Sequence, residues 1–194
     1  MRATLALAFL CGLAFASRAS AEAKIIDFQV GLDGSQVLAS VTLDHAFDRR
    51  FVARVDSGLP TLILYRFELD LDRRHWWDPR LKSNSLAVMA IYDAIARTYT
   101  VHFRLDDKLI ESRTVHDRKA LEAAMTRIER LPVFNLADIR NRRRLLLRVR
   151  AELGSRTVLS FVPVVITTDW VESQKFRPAP PQEPPPQQQQ QPQP

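Results

Sequence analysis

The chain has 194 residues, 28 Lys and Arg against 22 Asp and Glu, a formal charge of +6 and a single cysteine. One cysteine excludes a disulfide framework and any Cys-pair metal or redox motif. The charges are interspersed and lack the aromatic interleaving of nucleic-acid binders, so no nucleic-acid partner is expected.

Arg2 precedes an uncharged, mostly apolar run from Ala3 to Ala16, followed by Ser17, Arg18 and the small triplet Ala19-Ser20-Ala21. A positive start, a short apolar stretch and an Ala-x-Ala end are the three parts of a secretory signal. The run is shorter than the roughly 18 residues a membrane-spanning helix needs. Residues 1–21 are therefore expected to be a cleaved leader, and the remainder a periplasmic or otherwise exported chain. Cys11 lies inside the apolar run after Leu10, which does not fit a lipoprotein signal. Cleavage near Ala21 removes the cysteine together with Arg2 and Arg18, which lowers the net charge to +4. Stability must then come from one hydrophobic core, for which about 155 residues suffice.

Residues 24–43 read as a β-hairpin. Ile26, Phe28, Val30 and Leu32 alternate with Asp27, Gln29 and Gly31, and Val37, Ala39, Val41 and Leu43 with Leu38, Ser40 and Thr42; period two marks strands with one buried face. Asp33-Gly34 is expected to form the tight turn, with positive φ at both positions. Residues 46–57 change period: Phe47, Phe51 and Val55 stand four apart, which predicts an amphipathic helix stopped by Gly58 and Pro60.

A long strand is predicted next, with Ile63, Tyr65, Phe67, Leu69 and Leu71 on one face and Arg66, Glu68, Asp70 and Asp72 on the other. Arg73-Arg74-His75-Trp76-Trp77-Asp78-Pro79 breaks the alternation as a connection. Leu86, Val88, Ala90 and Tyr92 then alternate with Ala87, Met89 and Ile91, apolar on both faces, which predicts a strand buried on both sides. Two further strands are expected over 99–105 and 109–114. Asp117 suits the N-cap of a helix with Leu121, Met125 and Ile128 inward, ending before Pro132. Residues 134–141 are ambiguous.

Leu145, Leu147, Val149, Ala151 and Leu153 alternate with Arg144, Arg148, Arg150 and Glu152 in another strand, with Leu146 the exception. Gly154-Ser155 is expected to turn the chain into a last strand region, 157–170, which Pro163 must interrupt or place at an edge. The predicted fold is mainly β: an antiparallel two-layer sandwich of about eight strands with two inserted helices, over a single domain of residues 22–177. From Pro178 the sequence is almost wholly Pro and Gln. Such a tail has nothing to bury and is expected to be disordered.

No catalytic template is met. Four scattered histidines supply neither His-Glu-x-x-His nor a Cys/His ligand set, so no metal and no cofactor is expected. There is no Gly-x-Ser-x-Gly elbow and no glycine-rich phosphate loop. Two local features stand out. Arg73, Arg74, Trp76, Trp77 and Asp78 form an aromatic turn: either a protein-binding surface, or a plug in which both tryptophans cap the core. Arg142, Arg143 and Arg144, continued by Arg148 and Arg150 along one strand face, form a basic patch: either a solvated rim or a surface for anionic membrane.

Several segments of the chain, namely Tyr65-Arg66-Phe67-Glu68-Leu69, the Arg73…Trp76-Trp77-Asp78 turn, Tyr92…Ala96-Arg97-x-Tyr99-x-Val101, the Ala120-Leu121 helix and Thr168-Asp169-Trp170, are in an order and spacing that resembles the proteobacterial domain-of-unknown-function family 4390. The likeness covers roughly residues 25–172. It implies an exported domain with no assigned reaction. Members are often encoded beside a membrane sensor kinase of the nitrogen-regulation type, which implies a periplasmic accessory role. Val162-Pro163-Val164-Val165 and the Pro/Gln tail depart from the family pattern.

The functional expectation is a non-enzymatic accessory domain that binds a protein partner in the envelope, using a sheet edge or the aromatic turn. Two alternatives are an envelope-polymer hydrolase with paired carboxylates, Asp70 or Asp72 with Asp78, and a binder of anionic membrane surface through Arg142–Arg150.

Overall fold

The computed structural model describes residues 22–72, 80–139, 144–158 and 162–177. The expected leader, the aromatic turn at 73–79, Arg142 and Arg143, and the Pro/Gln tail lie outside them.

Two antiparallel sheets face each other. The smaller contains β1 (Lys24–Asp33), β2 (Gln36–Asp44) and β7 (Arg127–Asn135), with β2 in the middle. The larger runs in the order β10 (Val171–Glu172), β8 (Leu145–Val158), β3 (Thr61–Leu71), β4 (Arg80–Asp93), β5 (Thr98–Leu105) and β6 (Lys108–Val115), while β9 (Val162–Thr167) also pairs with β8. Helices α1 (Arg49–Asp56) and α2 (Arg118–Thr126) pack against the larger sheet beside the small one. The expected class therefore holds: an α+β sandwich of antiparallel strands with two helices, not closed into a barrel.

The core is the set of alternate residues that the period-two pattern singled out. Ile63, Tyr65, Phe67 and Leu69 of β3 are fully buried, as are Leu86, Val88 and Ala90 of β4 and Leu145, Leu147, Val149 and Ala151 of β8. They meet Val37, Ala39, Val41 and Leu43 of β2, Phe51 and Val55 of α1, and Leu121 and Met125 of α2. Each helix starts at an aspartate whose carboxylate accepts a backbone N–H three residues on, Asp48 from Phe51 at 2.7 Å and Asp117 from Ala120 at 2.8 Å. These caps satisfy donors that the first turn leaves unpaired.

Several expectations need correction. The second helix does not run to Pro132. It stops at Thr126, and Arg127–Asn135 is a strand paired with β2, so Ile128 is buried from a strand. Pro132 is tolerated because β7 is an edge strand. In the first hairpin the two turn residues are Gly34 and Ser35, since Asp33 still pairs with Gln36, and only Gly34 has positive φ. A bulge between Ile25 and Asp27 puts Ile25 on the core side and leaves Ile26 exposed, while Phe28 and Val30 beyond it face the core as predicted.

Gly154 does not turn the chain either. With φ at +89° it sits in a register shift between Glu152 and Ser155, and β8 continues to Val158. Pro163 lies in β9, opposite Thr157, on a strand at the sheet border, as its missing N–H requires. Residues 136–139 form a single turn closed by Ile139 N–H to the Leu136 carbonyl at 2.9 Å. Finally, β4 is not buried on both sides. Leu86, Val88 and Ala90 are buried, whereas Ala87, Met89 and Ile91 are only half-buried on the outer face.

Candidate functional site: the outer face of the large sheet

Antiparallel register assigns the side chains of the outer face. Arg66 stands opposite Arg150, Glu68 opposite Arg148 and Leu64 opposite Glu152 across β3 and β8, while β4 places Ser83 beside Glu68 and Ser85 beside Arg66. Directly opposed like charges repel. Both arginines therefore turn to Glu152, which accepts diagonally across the strands from Arg66 Nε at 2.5 Å and along β8 from Arg150 at 3.1 Å. The hydrogen bond to Glu152 raises the pKa of Arg66 beyond its ordinary value and keeps the guanidinium charged.

One strand position further on, Arg148 bridges two carboxylates, Glu68 at 2.8 Å and Asp70 at 2.7 Å. Arg80 from β4 takes the other oxygen of Glu68 at 2.6 Å. Glu68 is 7% exposed and Asp70 only 1%. A buried carboxylate is costly unless it is paired, and both are paired. Trp170, which follows β9, roofs this lattice, with the guanidinium carbons of Arg150 and Arg148 at 4.8 and 5.3 Å from its ring centroid. Thr168 fixes the approach of that segment: its N–H donates to the Ala151 carbonyl and its hydroxyl accepts from the Ala151 N–H.

The same face changes character across β3 and β4. Leu62 and Leu64 stand beside Met89 and Ala87 in register, and Ile91 extends the row. Leu62 is 40% exposed and the others are half-buried. The outer face thus has a charged half on β8 and β3 and an apolar half on β3 and β4.

Two cavities border the larger sheet. One, of about 200 Å³, is lined by Arg66, Glu68, Arg80, Ser83, Ser85 and Asp106. It is smaller and more polar than the roughly 300 Å³ or more, mostly apolar, of typical organic-ligand pockets. The other, of about 380 Å³, lies between Glu22–Ile25 and Thr167–Val171. Among the described residues no group of His, Cys, Asp and Glu could hold a metal ion, and no helix is long and apolar enough to cross a membrane.

The sequence-predicted residues fare unevenly. Arg73, Arg74, Trp76, Trp77 and Asp78 lie outside the described residues, as do Arg142 and Arg143. The positions bordering those two segments are adjacent, because the Asp72 N–H donates to the Arg144 carbonyl at 2.9 Å. Asp72 also accepts from Lys175 at 2.8 Å. Arg144 is exposed, whereas Arg148 and Arg150 are drawn into the ion-pair lattice. Sequence reasoning missed Glu68, Glu152 and Trp170 as partners of those arginines. The signal was present in the mixed charge of two facing strands, but reading it requires the β3–β8 register.

Residues 20–171 match the family defined by a domain of unknown function, DUF4390. The chain belongs to that family. No curated protein and no solved structure matches it.

Proposed function

We propose that this DUF4390 chain is an exported, non-enzymatic accessory domain that engages a protein partner of the envelope through the apolar half of its outer sheet face. The observation that carries this reading is the second apolar face of β4. Ala87, Met89 and Ile91 have the side-chain character of a strand buried on both sides, yet among the described residues no second layer covers them. Joined by Leu62 and Leu64 and bordered by charge, they have the composition of a protein-binding patch, apolar within and polar at the rim. Export rests on the Arg2, Ala3–Ala16, Ala19-Ser20-Ala21 leader pattern. A membrane signalling protein is the partner class that the family resemblance favours.

The alternatives have less support. Asp70 and Asp72, the carboxylates a hydrolase would use with Asp78, are each engaged in an ion pair within the fold, with Arg148 and Lys175. Arg148 and Arg150, the strand part of a membrane-binding patch, are paired with Glu68, Asp70 and Glu152.

The test is a photo-crosslinking amino acid in place of Leu62, with Ile95, exposed on a turn, as the control position. The reading expects a discrete adduct with one envelope protein from position 62, lost on Met89→Asp and absent from position 95. Adducts no stronger at 62 than at 95 would sink it. Recovery of an intact leader in the cytosol would remove the export part.

A further inference from the structure

Among the described residues, the borders of both sheets are closed off in different ways, with one exception. On β7 the carbonyls of Val133 and Asn135 are occupied by side chains of β4, accepting from Asn84 at 2.5 Å and Lys82 at 2.8 Å. β9 contains Pro163, β10 is two residues long, and β1 packs beside β8 and β10. β6 is the exception. It pairs with β5 along one side only and is exposed from Lys108 to Thr114, with Leu109 61% and Ile110 47% exposed. An open edge of this length is a template for another strand.

Its sequence, Lys108-Leu-Ile-Glu-Ser-Arg-Thr-Val115, is complementary to itself. Charges of one sign would repel any second copy. Here Glu111 and Arg113 have opposite sign, stand two residues apart and share one face, where they pair with each other in the single chain. Arg113 also lies over the Phe103 ring, at 4.8 Å. When the strand is laid antiparallel against a copy of itself with Ser112 opposite Ser112, Glu111 of each chain faces Arg113 of the other. Ile110 then comes opposite Thr114, and Leu109 opposite Val115. A slide of two residues, which moves the two-fold axis to residue 113, sets Arg113 against Arg113. Opposed side chains on one face of an antiparallel pair approach to about 5 Å, so the first register is favoured and the second penalised.

We propose that two copies of this chain pair β6 to β6 about a two-fold axis at Ser112, joining their large sheets into one continuous sheet. The contact is isologous, so it closes at two copies and leaves no edge to propagate. The proposal does not rest on the partner face, because Leu62 and Met89 lie on β3 and β4 and remain accessible in the pair.

Sedimentation equilibrium on the protein purified from an exporting host tests it. A mass twice that of one chain is expected at about 100 µM. Glu111→Arg and Arg113→Glu each place like charges opposite one another in a homodimer, and each is expected to weaken self-association at least tenfold with an unchanged circular dichroism spectrum. Mixing the two variants restores opposite charges at both positions and is expected to give a heterodimer. In a Cys11→Ser background, Ser112→Cys is expected to oxidise to a linked dimer, whereas Thr114→Cys, four residues from its counterpart in this register, is not. A single-chain mass at that concentration overturns the proposal. So does a dimer indifferent to the charge swaps, or equal oxidation of the two cysteine variants.

Discussion

The phenol of Tyr65, in the centre of β3, donates a hydrogen bond of 2.8 Å to the backbone carbonyl of Met125 in the last turn of α2. Both residues are fully buried. The final carbonyls of a helix have no partner within it, and here a side chain from the opposing sheet supplies one. Tyr65→Phe keeps the ring and removes the donor, leaving the carbonyl buried and unpaired. The expected loss is about 1–3 kcal/mol, read as a lower urea midpoint at unchanged slope.

The same burial predicts how the fold responds to alkali. Desolvation pushes the Tyr65 pKa far above the ordinary phenol value, and Tyr99 is raised by desolvation and by its bond to Asp56. In the unfolded chain both phenols lose their protons near pH 10. Above that pH the unfolded state binds fewer protons than the native one, so stability falls as pH rises; below it these groups contribute no pH dependence. Urea midpoints at pH 8, 10 and 11 check this. Tyr65→Phe is expected to lose less between pH 10 and 11 than the parent, and parallel losses would mean that Tyr65 is not the group responsible.

Arg148 is the keystone of the charged lattice because it serves both Glu68 and Asp70. Removing one partner of a buried pair costs far more than the pair contributes, since the remaining charge stays in place. Arg148→Met is expected to destabilise by about 3 kcal/mol, and Arg150→Met by less, because Glu152 keeps Arg66. A double-mutant cycle separates charge from packing: in an Asp70→Asn background the cost of Arg148→Met should shrink. An undiminished cost would assign the effect to lost contacts with Trp170 instead.

Most of the core was legible because period two is a strong signal where one sheet face is buried. Ile63 to Leu71 and Leu145 to Ala151 fall on the predicted face without exception. The errors cluster where a local device overrides the period. Leu121, Met125 and Ile128 keep helical spacing into β7, but the chain leaves the helix at Thr126 and reaches the same core as a strand, with a register shift near Arg130, whose φ is +45°. Similarity of spacing over one extra turn could not reveal that change. The bulge at Ile26 and the positive φ of Gly154 are single-residue events of the same kind.

The site was less legible, for a different reason. Arg148 and Arg150 were recognisable as a row of cations, but whether a row is a patch or a lattice depends on what stands on the next strand. That strand, β3, lies some eighty residues away in sequence, and its Glu68 and Asp70 convert the row into ion pairs. The apolar outer face of β4 was read correctly as apolar; the expectation of its cover was what failed.

Gly154 offers a sharp test of the β8 bulge. Its φ of +89° is a conformation that side-chain-bearing residues adopt only under strain, while a methyl group there would find ordinary room, the nearest atom being Arg54 Nη1 at 3.7 Å. Backbone strain, not crowding, therefore sets the cost. Gly154→Ala is expected to lose about 1–2 kcal/mol, net of the entropy gained by restricting the unfolded chain. If the bulge flattens to relieve the strain, Ser155–Val158 would shift by one residue against β9, and the Pro163–Thr157 register with it. Amide exchange in β8 distinguishes the outcomes: faster exchange confined to residues 152–158 indicates a local slip, whereas a uniform increase along the strand indicates lower global stability with the register kept.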